Sequence, residues 1–159
     1  MIVIRRAGPG DAALALRFIR ELAAYERLEG EMVADEAAVR DLLFSDPPGA
    51  FCEFAELDGE AAGFALWFYN ASTFEGRRGL YLEDIFVRPE HRGEGVGLAL
   101  MRALARRCAD EGLRRMEWAV LNWNAPARRF YDALGAEAMD GWTTRRLSGA
   151  ALAKLAQER

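Results

Sequence analysis

The chain has 159 residues, 52% of them apolar, a formal net charge of -4 and a pI near 5.2. One compact domain over residues 1–159 is the expectation for this size, and the acidic balance excludes general attraction to nucleic acid or to an anionic membrane. Two cysteines, Cys52 and Cys108, lie far apart without metal-ligand spacing, and no apolar run reaches the ~20 residues of a membrane span, so a metal-free protein of a reducing compartment, the cytoplasm, is expected.

Ile2 to Arg5 reads as a short edge strand. Asp11 is then expected to cap a helix whose Leu14, Phe18, Leu22 and Tyr25 recur at helical spacing up to Gly30. Asp35 opens a second helix through Val39, Leu42 and Leu43, stopped by Asp46-Pro47-Pro48-Gly49. Phe51–Leu57 and Ala61–Tyr69 flank Asp58-Gly59, a strong hairpin signal.

The polar stretch Asn70 to Arg78 reads as a connection, and Leu80 to Val87 as a third long strand stopped by Pro89. From Gly95 a helix carries Leu100, Met101, Leu104 and Cys108 on one face and Arg102, Arg106, Arg107 and Asp110 on the other. Met116–Leu121 is expected as a buried strand, Asn124–Leu134 as a helix, Trp142–Leu147 as a last strand, and a short Ala-rich helix begins at Ser148. The sum is an α/β fold with a mixed sheet and helices on both faces.

Chemistry concentrates at Arg92-Gly93-Glu94-Gly95-Val96-Gly97, between a strand and a helix. Three glycines admit close backbone approach, and the unpaired N–H groups at a helix start favour a pyrophosphate. A flexible glycine turn is the plainer alternative. A dinucleotide fingerprint fails because Leu98 and Leu100 stand where a third glycine is needed, and no Gly-Lys-Ser/Thr follows.

The remaining pattern, R-x-x-G-x-G after a strand ending in Val87, resembles the coenzyme A signature of the GCN5-related N-acetyltransferase (GNAT) superfamily. Tyr81-Leu82-Glu83-Asp84-Ile85-Phe86-Val87, Val120-Leu121-Asn122-Trp123-Asn124, Phe130-Tyr131 and Leu134-Gly135-Ala136 are similar to its diamine (spermidine/spermine) and thialysine acetyltransferase-like branch. The resemblance implies a GNAT fold, with a mostly antiparallel central sheet of six to seven strands, acting on acetyl-CoA. It implies cofactor contacts from Ile85, Phe86 and Val87, from Arg92, Gly93, Glu94, Gly95, Val96, Gly97 and Leu98, and from Asn124, Pro126, Ala127 and Tyr131.

An alkylamine with a pKa of about 10.4 is almost wholly protonated at neutral pH, so a base is expected near the thioester. Glu83 matches the family's proposed base, acting directly or through water, and Tyr131 matches its general acid toward the departing thiolate. Backbone N–H groups of Ile85 to Val87 match its donors to the carbonyl oxygen. Without the resemblance, Glu83 reads as a solvated strand carboxylate, Tyr131 as a core residue of an amphipathic helix, and Asn124 as a helix cap.

For the acceptor, Tyr25 and Glu26 match the branch's contact pair, with Glu83, Asn122 and Asp140 as further contacts; Glu29, Glu75 and Asp84 are weaker candidates. Trp67, Trp123 and Trp142 read as core or as pocket walls. Asn122, where some polyamine enzymes carry an acid, and the loop Ala71–Gly76 depart from the polyamine pattern and bring the chain closer to relatives acting on thialysine or other small diamines. The expected activity is acetyl transfer to a small primary amine, with a homodimer implied by the branch. A protein lysine or N-terminal acetyltransferase, and a coenzyme A sensor without turnover, are the alternatives.

Overall fold

The computed structural model describes residues 1–158 and divides into two compact units, Met1–Ala119 and Val120–Arg159. The first holds a five-stranded sheet in the order β1 (Ile2–Arg6), β2 (Phe51–Leu57), β3 (Glu60–Ser72), β4 (Arg77–Val87), β5 (Met116–Trp118). The first four strands are antiparallel and β5 runs parallel to β4. A parallel pair needs a crossover, which α3 (Val96–Glu111) supplies. Five strands stand where six to seven were expected.

The β2–β3 hairpin forms at Asp58-Gly59, with both residues at positive φ (51° and 90°), as a tight two-residue hairpin turn requires. Asn70 to Arg78 is not a free connection. β3 runs on to Ser72 and β4 starts at Arg77, with the Arg78 guanidinium 4.3 Å over the Tyr69 ring.

Alternation along the strands sorts the core into two layers. Cys52, Phe54, Phe64, Leu66 and Phe86 pack with Ala15, Leu16, Phe18 and Leu22 of α1 (Ala12–Glu26) and with Val39 and Leu43 of α2 (Glu36–Phe44). Glu53 faces the other layer, beneath α3, whose Val96, Leu100, Met101 and Leu104 are buried. Asp35 caps α2 as expected, accepting the Ala38 N–H at 2.8 Å. Asp11 stands at the start of α1 but spends its carboxylate on the fork of Arg5 (2.7 and 2.9 Å) and on the Gly8 N–H (2.8 Å). α1 ends at Arg27 in the left-handed region (φ 61°), short of Gly30.

Glu53 is buried under α3, 7% exposed, and it accepts from Trp67 Nε1, from Arg6 at 2.8 Å and from Arg107 at 3.5 Å. Glu53→Ala leaves the buried Trp67 indole N–H and the Arg6 guanidinium without this acceptor and takes one of two carboxylates from Arg107. The expected loss is about 3 kcal/mol, seen as a fall in Tm on the order of 10 °C. An unchanged melting curve would remove this cluster from the account of stability.

In the second unit α4 (Ala125–Ala133) and α5 (Gly149–Gln157) form as expected. Trp142–Leu147 is not a strand; its residues are exposed, and a strand without a hydrogen-bonded neighbour has nothing to hold it. β5 likewise stops at Trp118 instead of reaching Leu121. Among the described residues no helix is long and apolar enough to cross a membrane, and no group of acids, histidines and cysteines has metal-binding geometry.

Candidate active site

β4 carries an irregularity at the centre of the candidate site. Leu66 opposes Asp84 while Trp67 opposes Leu82, which leaves Glu83 as an extra residue, a β-bulge. Beyond it the strand's sides exchange: Leu80 and Leu82 lie across from Tyr69 and Trp67, whereas Asp84 and Phe86 lie across from Leu66 and Phe64, in the layer of α1. The bulge thus turns Asp84 toward the end of α1 that carries Tyr25 and Glu26, and the Tyr25 and Phe86 rings meet there at 6.0 Å.

Three carboxylates interact at this place. Burial, then the charges of Glu83 and Glu26, push the Asp84 carboxyl up to about 7, and burial raises Glu26. Asp84 therefore keeps in the folded state a proton that the unfolded chain releases near pH 4. Its contribution to stability falls as pH rises from about 4 to about 7. Asp84→Asn is expected to raise Tm, with a gap over the parent that widens from pH 5 to pH 8; a gap independent of pH would remove this titration from the site.

Pairing of β4 with β5 ends at Leu82 opposite Trp118. From Glu83 to Val87, the β4 edge that faced β5 has no strand partner among the described residues, so Ile85, Phe86 and Val87 offer backbone groups along an open edge. The next turn, Pro89–His91, leads into Gly93 and Gly95 at φ 82° and 86°, where a side chain is strained. A Cβ on Gly93 would meet nothing within 4 Å, so the loop faces open space.

The first intrahelical bond of α3 runs from the Ala99 N–H to the Gly95 carbonyl at 2.9 Å, so the N–H groups of Val96, Gly97 and Leu98 precede the helical ladder. Gly93 to Leu98 thereby fit an oxygen-rich anion such as a pyrophosphate. Glu94 is exposed and approaches His91 Nδ1 at 3.4 Å, which makes His91 a loop contact and not a base aimed at the carboxylates. Arg92 holds the loop: its Nε donates to the Val87 carbonyl at 3.0 Å, and its guanidinium lies 4.5 Å over the Tyr25 ring.

The second unit holds the remaining candidates. Asn124 caps α4 by accepting the Ala127 N–H at 3.3 Å, Pro126 sits in the first helical turn, and Tyr131 is 8% exposed beside Phe130 at 5.4 Å between rings. The Asn122 carbonyl accepts from Arg128 at 3.2 Å, and Asp140 is exposed. Of the acceptor candidates, the first unit holds Tyr25, Glu26 and Glu83, and Asp84, which sequence reasoning ranked low, interacts with both Glu26 and Glu83. Trp67 is fully buried beneath α3 and walls no pocket. Burial raises both the Cys108 and Cys52 thiols, against a nucleophilic role.

A cluster of acids and a loop whose N–H groups precede the helical ladder stand at the two ends of one short strand segment, an arrangement that suits group transfer between a charged donor and an amine acceptor. The acetyltransferase (GNAT) family model matches residues 16–136. Thialysine N-epsilon-acetyltransferase of Bos taurus is 39% identical over 98% of this chain and 97% of its own. L-ornithine N5-acetyltransferase NATA1 of Arabidopsis thaliana is 30% identical over 94% of this chain and 85% of its own. Among solved structures, an integron cassette protein from V. cholerae superposes with a TM-score of 0.82 at 28% identity, covering 99% of this chain and 98% of the other. The chain belongs to the GNAT acetyltransferase family, in the branch of the thialysine and spermidine/spermine acetyltransferase-like proteins. It is an N-acetyltransferase, an enzyme whose acceptor atom is an amine nitrogen.

Proposed function

We propose that the enzyme acetylates the side-chain amine of a small amino acid or short diamine, thialysine foremost, with acetyl-CoA as donor. The bulge at Glu83 carries this reading, because it turns Asp84, the neighbour of Glu83, toward Glu26 at the strand segment that leads into the glycine loop. Similarity to a thialysine and an ornithine acetyltransferase supports an acceptor that is an amino acid with a terminal amine. Asn122, where some polyamine enzymes carry an acid, adds no charge, which lowers the attraction for a long polycation.

Acetyl-CoA supplies the acetyl group as a thioester. The N–H groups of Gly93 to Leu98 would hold its pyrophosphate and the open edge at Ile85 to Val87 would orient its arm, and the family resemblance adds Asn124, Pro126 and Ala127 as further cofactor contacts. Glu26 and Asp84 bind the ammonium of the acceptor. Glu83 receives the ammonium proton directly or through water, offsetting the roughly 4 to 5 kcal/mol needed to deprotonate an alkylamine at pH 7. The free amine forms the C–N bond as the C–S bond breaks, Tyr131 donates its hydroxyl proton to the sulfur that leaves, and the second proton shed by the nitrogen returns through water to the Tyr131 oxygen. Residues 1–159 form one catalytic domain in this reading, working as a homodimer in the cytoplasm.

Thiol release from acetyl-CoA over a panel of thialysine, lysine, ornithine, putrescine, spermidine, an aminoglycoside and a lysine peptide tests the proposal. Saturable turnover highest on thialysine or ornithine is expected. Turnover on the peptide alone would point to a protein-modifying enzyme, and tight coenzyme A binding without turnover on any amine to a sensor.

A further inference from the structure

Two arginines, one on each side of the Pro89–His91 turn, grip a single face of α1. Arg88 leaves β4 with its backbone N–H on the Ala62 carbonyl (3.0 Å), its Nη1 on the Ala61 carbonyl (2.9 Å), and its Nε and Nη2 on the two carboxylate oxygens of Glu21 (2.8 Å each). Its guanidinium lies 4.5 Å over the fully buried Phe18 ring. Arg92 repeats the ring contact over Tyr25, one helical turn beyond Glu21 and two beyond Phe18. Phe18, Glu21 and Tyr25 are spaced by three and four residues, so they share one face of the helix.

An exposed ion pair would contribute little. This one is bidentate, its side chains are only 21% and 32% exposed, and its cation rests on a buried ring. A fork of two parallel bonds fixes angle as well as distance. Neither Arg88 nor Glu21 lies in the acid cluster or among the anion-facing N–H groups, yet the chain they lock runs into Gly93 on one side and into Tyr25 and Glu26 on the other.

We propose that Arg88, held by Glu21, is a positioning residue that couples the donor loop to the acceptor end of α1, so that occupancy of either site raises affinity at the other; this rests on the donor and acceptor sites proposed above. A donor held by Gly93 to Leu98 restrains the loop, the two arginines pass the restraint to α1, and the acceptor then meets Glu26 already placed. The coupling must be reciprocal, because affinity changes at linked sites are equal.

Calorimetric titration of the full chain with thialysine, with and without saturating coenzyme A, reads the coupling directly. In the unaltered protein coenzyme A is expected to tighten thialysine binding at least about fivefold, and thialysine to tighten coenzyme A by the same factor. Arg88→Ala and Glu21→Gln should bring both ratios close to one, and Arg88→Lys, which keeps the charge but not the fork, should fall between. Should Arg88→Ala fail to fold, Glu21→Gln, with its shape preserved, carries the test. A part that was structural only would lower Tm and leave the ratios intact, and unchanged ratios in folded variants overturn the proposal, as does a ratio of one in the unaltered protein. Failure of the unaltered protein to bind coenzyme A at all would instead overturn the donor site on which the proposal rests.

Discussion

Tyr131→Phe is expected to lower kcat about a hundredfold while the dissociation constant of coenzyme A stays within about twofold, because the change removes one proton donor and almost no contact surface. The ring is nearly buried on α4, and its backbone carbonyl accepts the N–H groups of Leu134 and Ala136 at the end of that helix. Phenylalanine preserves the ring packing and those backbone bonds. Stopped-flow measurement of thiol release, with chemistry established as the slow step, checks the result. An unchanged chemical step would take Tyr131 out of the proton inventory and leave it as packing.

Glu83→Gln carries the second large expectation, a loss of kcat/KM of roughly ten- to hundredfold at pH 7 that narrows toward pH 9. The narrowing follows from the acceptor, since the free-amine fraction rises about tenfold per pH unit below a pKa near 10.4 and progressively replaces the missing base. The substitution also removes the like charge that helps hold the Asp84 carboxyl up near 7, so the acidic limb of the pH profile should move to lower pH. A defect of the same size at pH 7 and pH 9 would assign Glu83 to holding the ammonium instead of taking its proton.

For Tyr131, the residues Asn124, Phe130 and Leu134 to Ala136 around it carried the resemblance, and the structure adds its burial and its place on a capped helix. For Glu83, sequence reasoning read Leu80 to Val87 as a regular strand, on which Leu82, Asp84 and Phe86 would share one face. The bulge breaks that alternation and places Asp84 in the layer of α1. Asp84 was accordingly ranked below Glu26 and Asp140, and Asp140 is an exposed residue of the second unit. The adjacent acids Glu83-Asp84 in an otherwise apolar run were the one available signal, since two charges in succession fit a regular half-buried strand badly.

Local chemistry was enough wherever a few neighbouring residues decide the outcome. Asp58-Gly59 set its turn, Asp35 capped its helix, the glycines after Arg92 shaped the loop, and apolar spacing placed α1, α3 and α4, because each depends on backbone propensities and hydrogen bonds within a few residues. The tertiary structure decided what depends on partners distant in the chain. Whether Trp142–Leu147 became a strand, where β5 stopped, which side of β4 Asp84 faced and how Arg88 found Glu21 were settled by pairing and burial between segments up to 67 residues apart. A strand exists only with a neighbour to bond, and a carboxyl is perturbed only by what surrounds it, so neither is written in the residues on either side.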